Sequence, residues 1–298
     1  MRFEVERIDS VSLDRPDELL ARNLMSPFAW IGEGDAGIDV LVRAVPPDRA
    51  NGQESGRLWF GHAASDGLAF HMDATPTLVP GDVVPGDGPD SHGCEDPTVV
   101  RTEQGLVVYY TGVDAETCSH LCYATGSDAR SLRKRGVALT STKSEHNTKE
   151  ATVARGDGRW RLLYEHAHNG HSLISLTDAP GPAGPWDERP DPFSPRPDQW
   201  DSWHLSTGPL LLDDSACPVM FYNGADRGAD WGIGWVALSP DLSHVEERCG
   251  DALIAPPSDA TGARDISFAA SVVERDGTIW LYYSCNDREL RRATIRRA

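Results

Sequence analysis

The chain has 298 residues, 39% hydrophobic and 25% charged, which is ordinary for a globular protein and sufficient for one large domain or two medium ones. Its formal net charge of −18 argues against nucleic acid or an anionic membrane as a partner, since the overall field repels both. The N-terminal residues lack the apolar core of a signal peptide, and no stretch approaches the length of a membrane span. The sequence therefore predicts a cytoplasmic protein.

The reactive side chains do not have the spacing of a metal or cofactor site. The six cysteines form no C-x-x-C pair or zinc pattern, and without an export signal they are expected to be reduced thiols. His166, His168 and His171 are too irregularly spaced to indicate metal ligands. There is also no Ser-His-Asp elbow and no glycine loop that would cradle phosphate. No cofactor and no metal are expected.

After a short N-terminal segment, the chain repeats one β unit. Residues 1–25 are predicted to be an N-terminal leader or closure segment, with a short helix at 16–23 that Asp14 caps. Each unit has an inner strand, an apolar central strand and a third strand, joined by polar turns. Inner strands are predicted near 26–30 and at 96–101, 149–155, 206–212 and 265–274. Central strands are predicted at 38–43, 106–110, 160–164, 219–222 and 279–283, and third strands at 58–66, 121–128, 173–178, 232–241 and 290–295.

Five copies of a β unit at intervals of roughly 50–60 residues are typical of a β-propeller. The 28 glycines and 21 prolines supply many turns, and the nine tryptophans favour strands over helices. The Pro/Gly/Asp-rich segment 180–197 reads as an extended loop. The sequence therefore predicts an all-β fold, a five-bladed β-propeller, in a single domain that spans residues 1–298.

Polar residues gather where the predicted inner strands begin, and in a propeller these starts meet at one mouth of the central channel. They are Glu95, Asp96, Asn147, Lys149, Glu150, His204 and Asp265, with Arg43 within reach from a central strand. Pro97 is expected to force Asp96 into an extended conformation and so to fix the direction of its carboxyl group. A pair of carboxyl groups across a cleft is what most glycosidases use to cleave a glycosidic bond. Trp30, Trp200, Trp203 and Trp231 are candidates to contact sugar rings, with packing between blades as the alternative.

Several short motifs, in order, resemble glycoside hydrolase family 130 from about Trp30 to the end of the chain. Glu95-Asp96-Pro97 is similar to the family's Glu-Asp-Pro-Arg motif, and 109–112 to the strand that follows it. Further similar segments lie at 147–151, 203–209, 221–224 and 281–284. The resemblance implies a five-bladed propeller that acts on β-mannosides with inversion. It also implies that Asp96 is the general acid, and that its proton passes through a sugar hydroxyl.

The departures from that motif bear on the nucleophile, which is phosphate in the phosphorylases of the family and water in its hydrolases. Thr98 stands where the motif has Arg, and Asn223 stands where it has His, so two cations that would hold phosphate are missing. Glu150 replaces a neutral Asn and adds a carboxylate. We therefore expect a hydrolase with Glu150 as the base, and Asp201 and Glu165 as reserves. The residues predicted to bind the substrate are Arg43, Glu95, Asn147, Lys149, Asp201, His204, Asn223 and Asp265.

Three alternatives remain open from the sequence. The first is a β-mannoside phosphorylase that releases mannose 1-phosphate. The second is a propeller that binds sugar without cleaving it, and the third is a furanosidase, since fold does not fix substrate. The expected partner is a short oligosaccharide, and the sequence gives no prediction of oligomeric state.

Overall fold

The computed structural model describes residues 2–33, 37–47, 54–64, 66–81, 88–156, 158–212, 217–257 and 265–298. These residues form an all-β structure with a four-residue helix, α1, at Asp17–Leu20. Over the ranges just given, no helix is long and apolar enough to cross a bilayer. The all-β prediction is confirmed.

The strands follow one another along the chain with short connections. They are β1 (Phe3–Ser10), β2 (Ser12–Asp14), β3 (Asn23–Ile31), β4 (Ile38–Val45), β5 (Arg57–Ala63), β6 (Ala69–Met72), β7 (Gly93–Thr102), β8 (Gly105–Val113), β9 (Ser119–Gly126), β10 (Arg133–Leu139), β11 (Thr148–Gly156), β12 (Arg159–His168), β13 (His171–Ala179), β14 (Asp187–Arg189), β15 (His204–Ser206), β16 (Leu210–Leu211), β17 (Val219–Met220), β18 (Asn223–Ala225), β19 (Trp231–Ile233), β20 (Val236–Leu238), β21 (Val245–Arg248), β22 (Ser267–Arg275), β23 (Thr278–Cys285) and β24 (Glu289–Arg297).

Most neighbours in sequence are also neighbours in a sheet. The sheet orders are β2-β6-β5-β4-β3, β10-β9-β8-β7, β11-β12-β13-β14, β15-β18-β19, β16-β17-β20-β21 and β1-β24-β23-β22. The two sheets that contain β15 and β16 are halves of one unit. Their strands continue into each other, β15 into β16, β17 into β18 and β19 into β20, after breaks of two or three residues.

The predicted central strands are confirmed, with one interruption. Four of them lie inside β4, β8, β12 and β23, whereas the one predicted at 219–222 contains β17 and ends in the break before β18. The sequence did not predict the short outer strands β10, β14 and β21, whose residues do not alternate between apolar and polar. The segment 180–197 was expected to be a loop throughout, but it contains β14.

The N-terminal segment differs from its prediction in detail. Its strand β1 pairs antiparallel with β24, with Phe3 opposite Arg297. The helix predicted at 16–23 is reduced to Asp17–Leu20, and Pro16 occupies its N-cap without a side-chain hydrogen bond. The prediction that Asp14 caps this helix is wrong, because Asp14 lies in β2 and its carboxylate is 2.8 Å from Nδ1 of His71.

The five strands that begin the sheet units, β3, β7, β11, β16 and β22, contact one another in a closed cycle. Apolar side chains of adjacent sheets pack between them, for example Tyr109 against the sheet that contains Tyr164. Because the sheets bury their faces against each other, the polar groups of these inner strands are left to line the centre. This centre contains the candidate site.

Candidate active site

Four of the five inner strands, β3, β7, β11 and β22, each gain one residue relative to their partner strand, which produces a β-bulge. In β3, β7 and β11 the residues at or within the bulge are Ser26, Asp96 and Glu150, and their φ angles of 50°, 45° and 51° lie in the left-handed region. In β22 the register shifts between Ala269 and Ser271. The expected extended conformation of Asp96 is therefore wrong: the bulge overrides the preference that Pro97 imposes on its predecessor.

A cavity of about 150 Å³ lies where the bulges meet. All five inner strands contribute to its wall, and the residues change character along its length. At the bulges the lining is polar, and farther along the strands it is apolar. The polar residues include Ser26, Asp96, Glu150 and Thr207, and the apolar ones include Phe28, Val99, Val153, Leu210 and Val272. The two predicted catalytic carboxylates thus share one cavity.

The Asp96 carboxylate is held by donors on one oxygen. Oδ1 accepts a 2.6 Å hydrogen bond from the Ser26 hydroxyl and a 3.2 Å hydrogen bond from Nη1 of Arg43. The backbone of Ser26 is in turn fixed by a 2.8 Å hydrogen bond to the Ser284 hydroxyl. Burial by itself would raise the pKa of Asp96, but Arg43, Ser26 and Lys149 outweigh it, and the pKa is lowered.

Arg43 is committed to carboxylates of the protein. Besides Asp96, it forms an ion pair with Glu95, and all three residues are buried. Burial raises the pKa of Glu95 although Arg43 opposes this shift. Arg43 and Glu95 were predicted to bind substrate; in this arrangement their hydrogen-bonding groups position Asp96.

Glu150 has a different environment. Its backbone is anchored by Thr111 and Thr207, at 3.3 and 2.9 Å, so that its side chain enters the cavity. Burial, the charge of Asp96 and a hydrogen bond between the two carboxyl groups raise the pKa of Glu150 well above its usual value. The nearby cation, Lys149, is 3.4 Å from the buried carboxylate of Glu165. The attraction of Glu165 is the main reason that the pKa of Lys149 is raised.

Side-chain hydrogen bonds tie each inner strand to the next around the cavity. Two of them involve the residues that depart from the family motif. Thr98 donates to the Ala151 carbonyl at 2.5 Å, and Asn223 donates to the Ala269 carbonyl at 3.2 Å. Further ties run from Thr152 to Gly208, from Ser271 to Pro27 and from Ser26 to Asp96, at 2.7, 2.8 and 2.6 Å. Thr98 and Asn223 therefore hold the ring of strands together, and Asn223 is fully buried.

Asp201, predicted as a reserve base and a substrate ligand, lies outside the cavity lining. Its side chain is completely buried and accepts hydrogen bonds from Tyr222, Arg196 and Arg248 at 2.6, 2.9 and 2.5 Å. With two arginines and a phenol on one carboxylate, its acceptor capacity is used within the protein. These contacts equip Asp201 to stabilise the structure.

The other predicted ligands lie near strand starts but not in the cavity wall. His204 stacks on Trp231 with ring centroids 5.7 Å apart, and Trp203 packs on His171 at 4.0 Å. Asn147 precedes β11 and bridges to Ser119 through the backbone. Asp265 precedes β22, and its backbone N–H donates to Asp230 at 3.2 Å.

Ser26 is a polar cavity residue to which sequence reasoning assigned no role. A signal was present, because an X-Pro pair stands at the same point of two inner strands, as Ser26-Pro27 and Asp96-Pro97. Alignment of these two repeat units on the prolines places Ser26 and Asp96 at equivalent positions. The direction of their side chains depends on the bulges, which no residue pattern indicates.

No family model matches the sequence, and no curated protein does. Solved structures are similar in fold. A glycosyl hydrolase from Bacteroides ovatus superposes with a TM-score of 0.75 at 20% identity, over 92% of this chain and 84% of that one. A glycoside hydrolase family 130 structure, reported for hydrolases that target β-1,2-mannosidic linkages in Candida mannan, gives 0.76 at 20% identity over 92% and 84%. β-1,2-Mannobiose phosphorylase from Listeria innocua gives 0.74 at 16% identity over 97% and 90%. At these identities the likeness establishes the fold, which hydrolases and a phosphorylase share.

Proposed function

We propose that this chain is a glycoside hydrolase that cleaves β-mannosides or related short β-linked oligosaccharides. The observation that carries the proposal is the meeting of two carboxyl side chains, Asp96 and Glu150, in one cavity at the centre of the fold. One carboxyl group that holds a proton and one that is ionised are what acid–base cleavage of a glycosidic bond requires. The substrate class is supported by the family motif and by the names of the similar structures.

The proposal includes a five-bladed propeller in a single domain. It is supported by the closed cycle of contacts among β3, β7, β11, β16 and β22, and by the five repeats along the chain. The two sheets that contain β15 and β16 count as one blade, because the strands of one sheet continue into the strands of the other.

Water is the proposed nucleophile, because the cations near the site are already paired. Among the described residues, neither Lys nor Arg lines the cavity. Arg43 is bound by two carboxylates, and Lys149 faces Glu165. A phosphate dianion in this cavity would face carboxyl groups without a compensating cation, which is costly for a buried charge.

The proposal can be tested by product analysis on β-mannobioses, aryl β-mannosides and aryl furanosides, each with and without inorganic phosphate. We expect free mannose in equal amounts under both conditions. Mannose 1-phosphate that forms only with phosphate would identify a phosphorylase instead. Cleavage of the furanosides alone would replace the substrate class.

An Asp96→Asn variant distinguishes catalysis from mere binding. We expect turnover to fall by about 10²–10⁴-fold, the usual contribution of a catalytic carboxyl group. Glu188→Gln is the matched control, because Glu188 accepts a hydrogen bond from Thr142 and lies away from the cavity. We expect this variant to turn over substrate normally. Sugar binding without turnover by the unsubstituted protein would indicate a binding propeller.

A further inference from the structure

We propose that a groove at the opposite end of the inner strands from the candidate active site binds a small organic anion with at least two phosphate or carboxylate groups. This arginine groove lies between the sheet β10-β9-β8-β7 and the sheet β11-β12-β13-β14, and its volume is about 690 Å³. Pockets of this size hold small-molecule ligands. The side chains that carry the argument are Arg133, Arg135 and Arg155. The proposed glycosidase function is not needed for it.

The arginine groove is remote from the central carboxyl groups. Thr102 and Arg155 contribute to its wall from the ends of β7 and β11, whereas Asp96 and Glu150 lie near the starts of the same two strands. At about 3.3 Å per residue, Arg155 is on the order of 15 Å from Glu150 along β11. Among the described residues, the groove and the central cavity share no wall residue. The groove is therefore a separate site.

Three arginines line the groove without a carboxylate partner. Arg133 and Arg135 come from the outer strand β10, and Arg155 comes from the inner strand β11 of the next sheet. All three are exposed, and in the part of the chain that the structure describes none of them forms an ion pair. Glu103 is the one acidic residue among the described wall residues. Three arginines against one glutamate leave the wall with two net positive charges.

This lack of partners contrasts with the composition of the chain, which has 46 acidic and 28 basic residues. Lys134 shows the arrangement that such an excess of acids favours. It stands between Arg133 and Arg135 in sequence, yet it is buried with its Nζ 2.7 Å from a carboxylate oxygen of Asp90. Its two neighbours instead project into the groove. The groove therefore offers cations to an anion that comes from outside the protein.

Neutral groups of the protein hold two of the three guanidinium groups in place. Arg135 is the extra residue of a bulge in β10, and its Nε donates a 2.8 Å hydrogen bond to the Thr125 hydroxyl. The guanidinium carbon of Arg155 lies 4.9 Å from the centre of the Trp160 ring. Neither contact neutralises a charge. Guanidinium groups fixed in this way bind phosphate or carboxylate through paired hydrogen bonds with less loss of side-chain entropy.

The rest of the wall suits the organic part of such a ligand. It combines hydroxyl groups, which can donate to an oxyanion, with apolar surface, and these residues are Thr125, Ser127, Ser131, Leu106, Val107, Trp160 and Pro182. Protection of the outer strand β10 against edge-to-edge association is the alternative role for Arg133 and Arg135. It does not account for Arg155, because neighbouring inner strands contact β11.

Titration calorimetry of the full chain with fructose 1,6-bisphosphate and, separately, with citrate tests the site at about 0.15 M NaCl, where exposed charges are largely screened. We expect one molecule to bind per chain with a Kd of about 1 mM or tighter. Arg135→Gln should weaken binding at least about tenfold, because a hydrogen bond to a charged group is lost. Binding of the bisphosphate alone identifies a phosphate ester as the ligand, and binding of citrate alone identifies a polycarboxylate. Saturable binding of neither would overturn the proposal.

Two further variants separate a built site from general attraction between charges. Arg7→Gln is the matched control, because Arg7 is an exposed arginine outside the groove, and its binding should be unchanged. Thr125→Val keeps every charge but removes the hydroxyl that holds Arg135, and we expect it to weaken binding about threefold. Equal losses in Arg7→Gln and Arg135→Gln would refute the site. Aggregation of Arg135→Gln with unchanged affinity would reduce the arginines to protection of the edge strand and refute it as well.

Discussion

Two regions of this molecule remove carboxyl groups from water and balance their charge in opposite ways. Asp201 is completely buried, and two arginines and a tyrosine share its oxygens. Asp96 is buried as well, yet one of its nearest neighbours is a second carboxyl group, that of Glu150. A compensated buried charge becomes destabilising when one partner is removed, whereas a pair of like groups forced together is costly from the start and shifts its pKa values apart. The comparison separates a carboxylate that supports the fold from carboxyl groups that are equipped for chemistry.

The most disruptive test of this comparison is Asp201→Asn. It leaves Arg248 and Arg196 without their counter-charge, and breaking a buried ion pair from one side costs about 3–5 kcal/mol. We expect urea denaturation to show that loss, while kcat per folded molecule stays unchanged. Asp241→Asn is the control, because Asp241 bonds to serine hydroxyls at the surface. A stable Asp201→Asn variant would remove the distinction between the two regions.

A smaller effect is expected from Ser26→Ala, which removes one donor from Asp96. A hydrogen bond to a charged group contributes about 1.5–3 kcal/mol. Loss of this donor also raises the pKa of Asp96, so the limb of the kcat/KM profile that reports Asp96 should move to higher pH. Ser271→Ala is the matched control: it loses a buried hydroxyl that bonds Pro27 and Ala29 at 2.8 Å and does not touch Asp96. Equal shifts of the two profiles would contradict the role of Ser26.

The effect that builds up most gradually is the pH dependence of stability in Glu150→Gln. The folded protein retains the Glu150 proton above the ordinary glutamate pKa of about 4.3, where the unfolded chain releases it. Folding therefore becomes less favourable as pH rises from that value towards the raised pKa, by up to about 1.4 kcal/mol per pH unit. Glutamine does not titrate. The stability of the variant relative to the natural protein should increase with pH in this window, and a decrease would mean that Glu150 is ionised.

Much of the fold follows from local sequence signals, and the site follows only in part. Apolar runs and Asp/Gly turns located the central strands, and the Asp-Pro motif with the strand starts located Asp96 and Glu150. The tasks of Asp201 and Asn223 were not predictable, because they depend on partners from distant strands, such as Arg248 and Ala269. The lowered pKa of Asp96 also escaped prediction. It depends on Ser26 and Arg43, which lie 70 and 53 residues from Asp96 and meet it only in the closed ring.

The left-handed backbone at Ser26, Asp96 and Glu150 has a consequence for how such a protein evolves. Glycine adopts this conformation freely, whereas other residues lose roughly 1–2 kcal/mol each there. A whole domain is stable by only about 5–15 kcal/mol. Selection for stability alone would therefore favour glycine at all three positions, and the cavity would lose its polar side chains. The polar groups of Ser26, Asp96 and Glu150 are held in place at the expense of backbone stability.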